Sequence, residues 1–143
     1  MKRCWGAVLL FGLCSALPSY AQQTSVYVSY TAEDTVGSRL VYALRERLRV
    51  SHGLKLVDSE EDSFIQIRLV TIDPDDNRAS TVYSAVITVT QLGNSSAKIY
   101  WTNLVGVCGS NRVVSCADGL TAGIDNAATT IREALIESIR QSK

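Results

Sequence analysis

The sequence predicts an α+β fold: a two-layer sandwich in β-α-β-β-β-β-α order, with two helices packed on one face of a mainly antiparallel sheet. Three observations lead there. Two segments carry apolar residues at helical spacing, four longer or shorter stretches alternate as strands do, and a fifth strand precedes the first helix. Two helices with one apolar face each, and a sheet with one strongly apolar face, bury most surface as two layers.

The first strand is SVYVSY, Ser25 to Tyr30, which alternates between apolar and polar. Thr31 stands three residues before Asp34, a helix-capping arrangement. From Thr35 to Ser51, Val36, Leu40, Val41, Ala43, Leu44 and Leu48 fall within an arc of about 160°. Gly37 lies on the same arc, where the missing side chain lets a helix approach a sheet. Arg39, Arg45, Glu46 and Arg49 lie opposite, and Gly53 is the expected C-terminal stop.

Leu54 to Val57 reads as a short strand. Ser63–Ile72, Thr81–Gln91 and Ala97–Val107 read as longer ones, separated by DPDDN and GNSS turns. Such short connections predict an antiparallel meander. Ile65, Ile67 and Leu69 share one face of their strand, and Tyr83, Ala85, Ile87 and Val89 share one face of the next. The reverse faces mix Gln66, Arg68, Ser84 and Thr88 with Val70 and Val86, so the second sheet face is only partly polar. The last helix is read from a Ser115–Asp118 capping box through Leu120, Ile124, Ala127, Ala128, Ile131, Ala134, Leu135 and Ile139, a stripe of about 140°.

The two ends of the apolar and charged patterning concern the compartment. Lys2 and Arg3, an apolar run from Trp5 to Leu17, and Ser19-Tyr20-Ala21 have the layout of a secretory signal peptide cleaved after Ala21. The expected organisation is a signal peptide over 1–21 and a single α/β domain over 22–143, periplasmic or secreted, with no membrane span in the mature form. Cys14 follows Leu13 and Cys4 lies in the charged n-region, neither of which suits lipidation. Removing 21 of the 143 residues leaves 122, enough for one core. Losing Lys2 and Arg3 takes 14 basic residues to 12 against 14 acidic ones, a net charge of −2. That balance lacks the basic excess that phosphate backbones require, so nucleic acid is not an expected partner.

Cys108 and Cys116 lie in VCGSNRVVSC and enclose seven residues. In an exported chain they read as a disulfide staple between the last strand and the last helix. Metal or nucleophile readings would need partners that His52 alone does not supply. DPDDN spaces Asp73, Asp75 and Asn77 like the start of a calcium loop, but Arg78 and Ser84 occupy the positions of the required Gly and Glu. It reads as a turn, as does the acidic DSEED (Asp58 to Asp62). The residues therefore call for no cofactor, no metal and no catalytic set. Asn94-Ser95-Ser96 fits a glycosylation acceptor in a glycosylating host. Tyr83, Tyr100 and Trp101 read first as core and sheet packing, and second as a ligand platform.

GSRLVYALRERLRVSHGLKLVDSEEDSFIQIRL (Gly37 to Leu69) combines an amphipathic helix ending in Ser-x-Gly, a short strand, an acidic connection and a long alternating strand. Over Val26 to Ile72 the pattern resembles the small α/β domain at the N-terminus of the periplasmic Tol–Pal β-propeller protein. It is similar also to domains of lipoproteins that activate peptidoglycan synthases and of the curli secretion lipoprotein. The resemblance implies a non-catalytic accessory or protein-interaction domain of the cell envelope. A small-ligand or cell-wall-fragment binder is the alternative, and a small hydrolase the third. Candidate binding residues are Tyr100, Trp101, Val86 and Arg68. The expected partner is an envelope protein, with a homodimer through a sheet edge as a second mode of association.

Overall fold

The computed structural model describes residues 23–76, 78–90 and 97–142. The signal-peptide reading of 1–21 and the Asn94 acceptor lie outside the described residues. The elements are β1 (Thr24–Ala32), α1 (Thr35–Arg49), β2 (Leu54–Leu56), β3 (Ile65–Ile72), β4 (Ser80–Thr90), β5 (Lys98–Gly109) and α2 (Val113–Gln141). This is the expected order, and the architecture is α+β with an open five-stranded sheet.

The strand order is β2-β1-β3-β4-β5. The β3-β4-β5 part is the antiparallel meander the turns predict. The other half differs: β1 runs parallel to both β2 and β3. The cause is α1, which returns the chain so that β2 leaves in the direction of β1. The acidic connection then carries it past β1 to its other side. The sheet is mixed.

Both helices cover one sheet face. Leu40, Leu44 and Leu48 of α1 are fully buried against Val26, Ile65, Ile67 and Leu69, each contributing roughly 1.5–3 kcal/mol of apolar burial. A Cβ on Gly37 would lie 1.9 Å from Thr71 Oγ1, so α1 touches the sheet here at the distance only glycine allows. On the other side, a Cβ on Gly123 of α2 would meet Leu104 of β5 at 2.7 Å.

Helix ends are where local pattern and structure part. Thr31 belongs to β1, and Asp34 itself caps α1 by accepting from the Gly37 N–H at 2.6 Å. α1 stops at Arg49 with Val50 as its cap, before Gly53. The Gly53 carbonyl instead accepts from the Thr24 N–H at 2.9 Å, fixing where β1 begins. α2 starts at Val113 with no side-chain cap, so Ser115 lies within the helix and forms no capping box. The turn back from β5 is set by Arg112 N–H donating to Gly109, and Cys116 N–H to Arg112. The α2 stripe is buried only to Ile131, whereas Ile136 and Ile139 are exposed and Leu135 packs partly on the core. Those last turns run past the sheet.

Candidate functional site

The sheet face away from the helices is uncovered by any described element. Its side chains form cross-strand rows because residues in register share a face. At one end Ile72, Val82 and Val107 are direct neighbours across β3, β4 and β5. The next row is Val70, Ser84 and Val105. Ile72, Val105 and Val107 are 64%, 64% and 68% exposed, so this end is an open apolar surface. Polarity then rises along the strands. The third row is Ser29, Arg68, Val86 and Asn103, and the fourth Tyr27, Gln66, Thr88 and Tyr100.

Three of the four residues singled out from the sequence meet here. Arg68 and Val86 are register partners, and Tyr100 donates from its hydroxyl to Asn103 Oδ1 at 3.2 Å in the adjoining row. Trp101 does not join them. The register of β4 with β5 steps from Ile87–Thr102 to Thr88–Tyr100, which leaves Trp101 as the unpaired residue of a β-bulge. Tyr100 is 60% exposed and Trp101 36%. Neither belongs to the buried core, and both lie on the edge strand of the sheet. Tyr83 does pack against the core.

A shallow depression of about 460 Å³ lies over the polar rows, lined by Tyr27, Gln66, Arg68, Thr88 and Lys98 among others. Lys98 is paired with Glu60, while Arg68 has no carboxylate partner among the described residues. Gln66 Nε2 is held by Thr90 Oγ1 at 3.3 Å. A second groove of about 530 Å³ runs beside α1 and the start of α2, with Tyr42, Val50 and Val114 exposed along it.

The acidic segments are tied into the fold. Asp58 lies 3.8 Å from Arg45, and Ser63 donates to the Glu60 carbonyl at 2.6 Å. Asp73 accepts from the N–H groups of Asp75 and Arg78, which closes the β3–β4 turn. Asp76 and Arg78 take positive φ there. Among the described residues, no three His, Cys, Asp or Glu side chains converge as a metal site, and no helix is long and apolar enough to cross a membrane. Cys108 and Cys116 are disulfide-bonded, with Cα atoms 6.1 Å apart, joining the end of β5 to the first turn of α2.

One carboxylate has a shifted titration. Burial costs the Asp34 anion solvation and pushes its pKa up. The Gly37 N–H and the Thr71 and Thr81 hydroxyls together outweigh this, and the group is held below the usual carboxylate value. It acts as a helix cap and a tie between α1, β3 and β4, away from the open face.

Comparison with protein-family models finds no match, and comparison with curated protein sequences finds none. The residues that sequence reasoning missed are Ile72, Val82, Val105 and Val107. Their alternation with buried neighbours was readable. Their assembly into one exposed patch depends on the sheet order and on which face the helices cover.

Proposed function

We propose that this protein is an exported, non-catalytic interaction module of the cell envelope, and that it engages a protein partner through the open sheet face and the β5 edge. One observation carries the reading. Among the described residues, the face of the five-stranded sheet away from the helices is uncovered and ends in two contiguous, mainly apolar rows beside the edge strand β5, the form of surface that protein contacts and strand addition use. The signal-like N-terminus, the Cys108–Cys116 pair and the resemblance of Val26 to Ile72 to envelope assembly domains favour the same conclusion.

The test is crosslinking capture from the native envelope with wild type and with Val86→Glu and Val107→Glu. Both variants place a carboxylate on the open face and should lose the captured partner while keeping the wild-type melting curve. Capture unchanged by either variant overturns the reading. A second reading, a binder of small ligands or cell-wall fragments, draws on the depression around Arg68, which has no carboxylate partner among the described residues. It predicts that Arg68→Ala or Tyr100→Ala removes binding of a small acidic ligand, with Val107→Glu having no effect.

A further inference from the structure

The backbone of β5 determines what its free edge offers. Ser110 N–H donates to the Ala79 carbonyl at 2.8 Å, one step beyond the Ser80–Gly109 register pair. Antiparallel pairs alternate between hydrogen-bonded and non-bonded positions. Cys108, Gly106 and Leu104 are therefore the residues that exchange bonds with Thr81, Tyr83 and Ala85. The N–H and C=O groups of Asn103, Val105 and Val107 point away from β4, into the open edge.

Edges of this kind are ordinarily guarded by shortness, charge, proline or a bulge. The opposite edge is guarded, since β2 has three residues and carries Lys55. β5 has its bulge at Trp101 and its one lysine at Lys98, both at the start. From Thr102 to Gly109 nothing among the described residues guards it, and no charged side chain occurs between Ile99 and Asn111.

We infer that β5 pairs antiparallel with β5 of a second copy, about a two-fold axis through Val105. This rests on the reading of the edge as a contact surface and names its occupant. Antiparallel pairing is the arrangement that closes as a two-fold dimer. Of the three residues with outward backbone, Val105 alone keeps the pairing within the unguarded stretch. Centring on Asn103 sets Val105 against the bulge at Trp101, and centring on Val107 sets Asn103 against the turn residue Asn111.

The Val105 register is also complementary in its side chains. On the open face Val105 meets Val105 of the second copy, and Asn103 meets Val107. The apolar rows of both copies then join across the axis. On the helix face Leu104 falls opposite Gly106, a position with no side chain. The hydroxyl end of Tyr83 already lies over Gly106, with its nearest ring carbon 2.7 Å from where a Cβ would stand, and the ring edge offers Leu104 of the second copy a surface. The paired stretch from Thr102 to Cys108 contains no charged side chain, so no like charges meet within it.

Sedimentation velocity of the exported protein, across micromolar to hundreds-of-micromolar concentrations, should give a dimer. Val105→Lys and Val105→Glu should each sediment as monomers, and an equal mixture of the two should recover the dimer. That recovery requires residue 105 to face residue 105. Val105→Pro removes a donor that points outward, so it should give a folded monomer that melts near the Val105→Lys and Val105→Glu monomers. Leu104→Pro removes a bond to β4 and should destabilise the fold. A wild type that stays monomeric at the highest concentration overturns the inference, as does a dimer that survives both charge variants. A monomer that still captures its envelope partner leaves the interaction-module reading standing. A dimer whose capture is indifferent to Val107→Glu overturns that reading and leaves the dimer.

Discussion

Replacing Asp34 by alanine tests how α1 is attached to the sheet. The Asp34 carboxylate accepts from the Gly37 N–H at 2.6 Å, from Thr71 Oγ1 at 2.9 Å and from Thr81 Oγ1 at 3.0 Å. Loss of the N-cap alone costs about 1 kcal/mol. Thr71 is buried and would keep a hydroxyl without an acceptor, at roughly 1–3 kcal/mol. Thr81 is buried too, but its hydroxyl retains the Ile72 carbonyl at 3.2 Å, so its share is small. The expected loss is about 2–4 kcal/mol at neutral pH. Adding Thr71→Val should recover part of it, because the orphaned hydroxyl is then gone. The pH dependence has a definite sign. The folded-state pKa of Asp34 is lowered, so its contribution is complete above the unfolded value of about 3.9 and is lost as pH falls through the folded value. Urea unfolding of wild type and Asp34→Ala should show a gap that holds from neutral pH to about 5 and narrows below about 4. A gap under about 0.5 kcal/mol at neutral pH, or one unchanged into acid, refutes the argument.

The Cys116→Ser variant should fold and lose about 2.5 kcal/mol, the chain-entropy value for a short loop. A denaturant melt with and without reductant measures this, and freshly purified wild type should show no reactive thiol at Cys108 or Cys116. Intact mass of the exported protein should correspond to a chain beginning at Gln22, and retention of Met1 would contradict the export reading.

Both amphipathic helices and the alternation of β3 and β4 were legible because periodicity is a local property. Gly37 was readable as a close-approach residue for the same reason. The parallel pairing of β1 with β2 and β3 was not, since nothing local to Leu54–Leu56 specifies which neighbour it will find. The helix caps misled for a related reason. Thr31 and Ser115 have the right chemistry, but the β1–β3 ladder claims the first and the turn after Gly109 starts α2 ahead of the second. At the candidate site, Arg68 and Val86 could be assigned to the second sheet face from alternation alone. Tyr100 and Trp101 could not be separated, because a one-residue bulge reverses facing and leaves no trace in the pattern. The exposed ends of α2 were hidden similarly: Ile139 fits the stripe, and only the length of the sheet decides that it is uncovered.

The position of β1 between β2 and β3 also orders events in time. The meander from Ile65 to Gly109 pairs strands that are neighbours along the chain, so it can assemble from short loop closures. β1 pairs with the next strand, β2, only across an intervening helix and over three residues, and its long ladder is with β3, some forty residues further along. Pairings that close long loops form slowly. β1 is thus among the last strands to be secured, and until β3 arrives the backbone edge it presents to β3 remains unpaired.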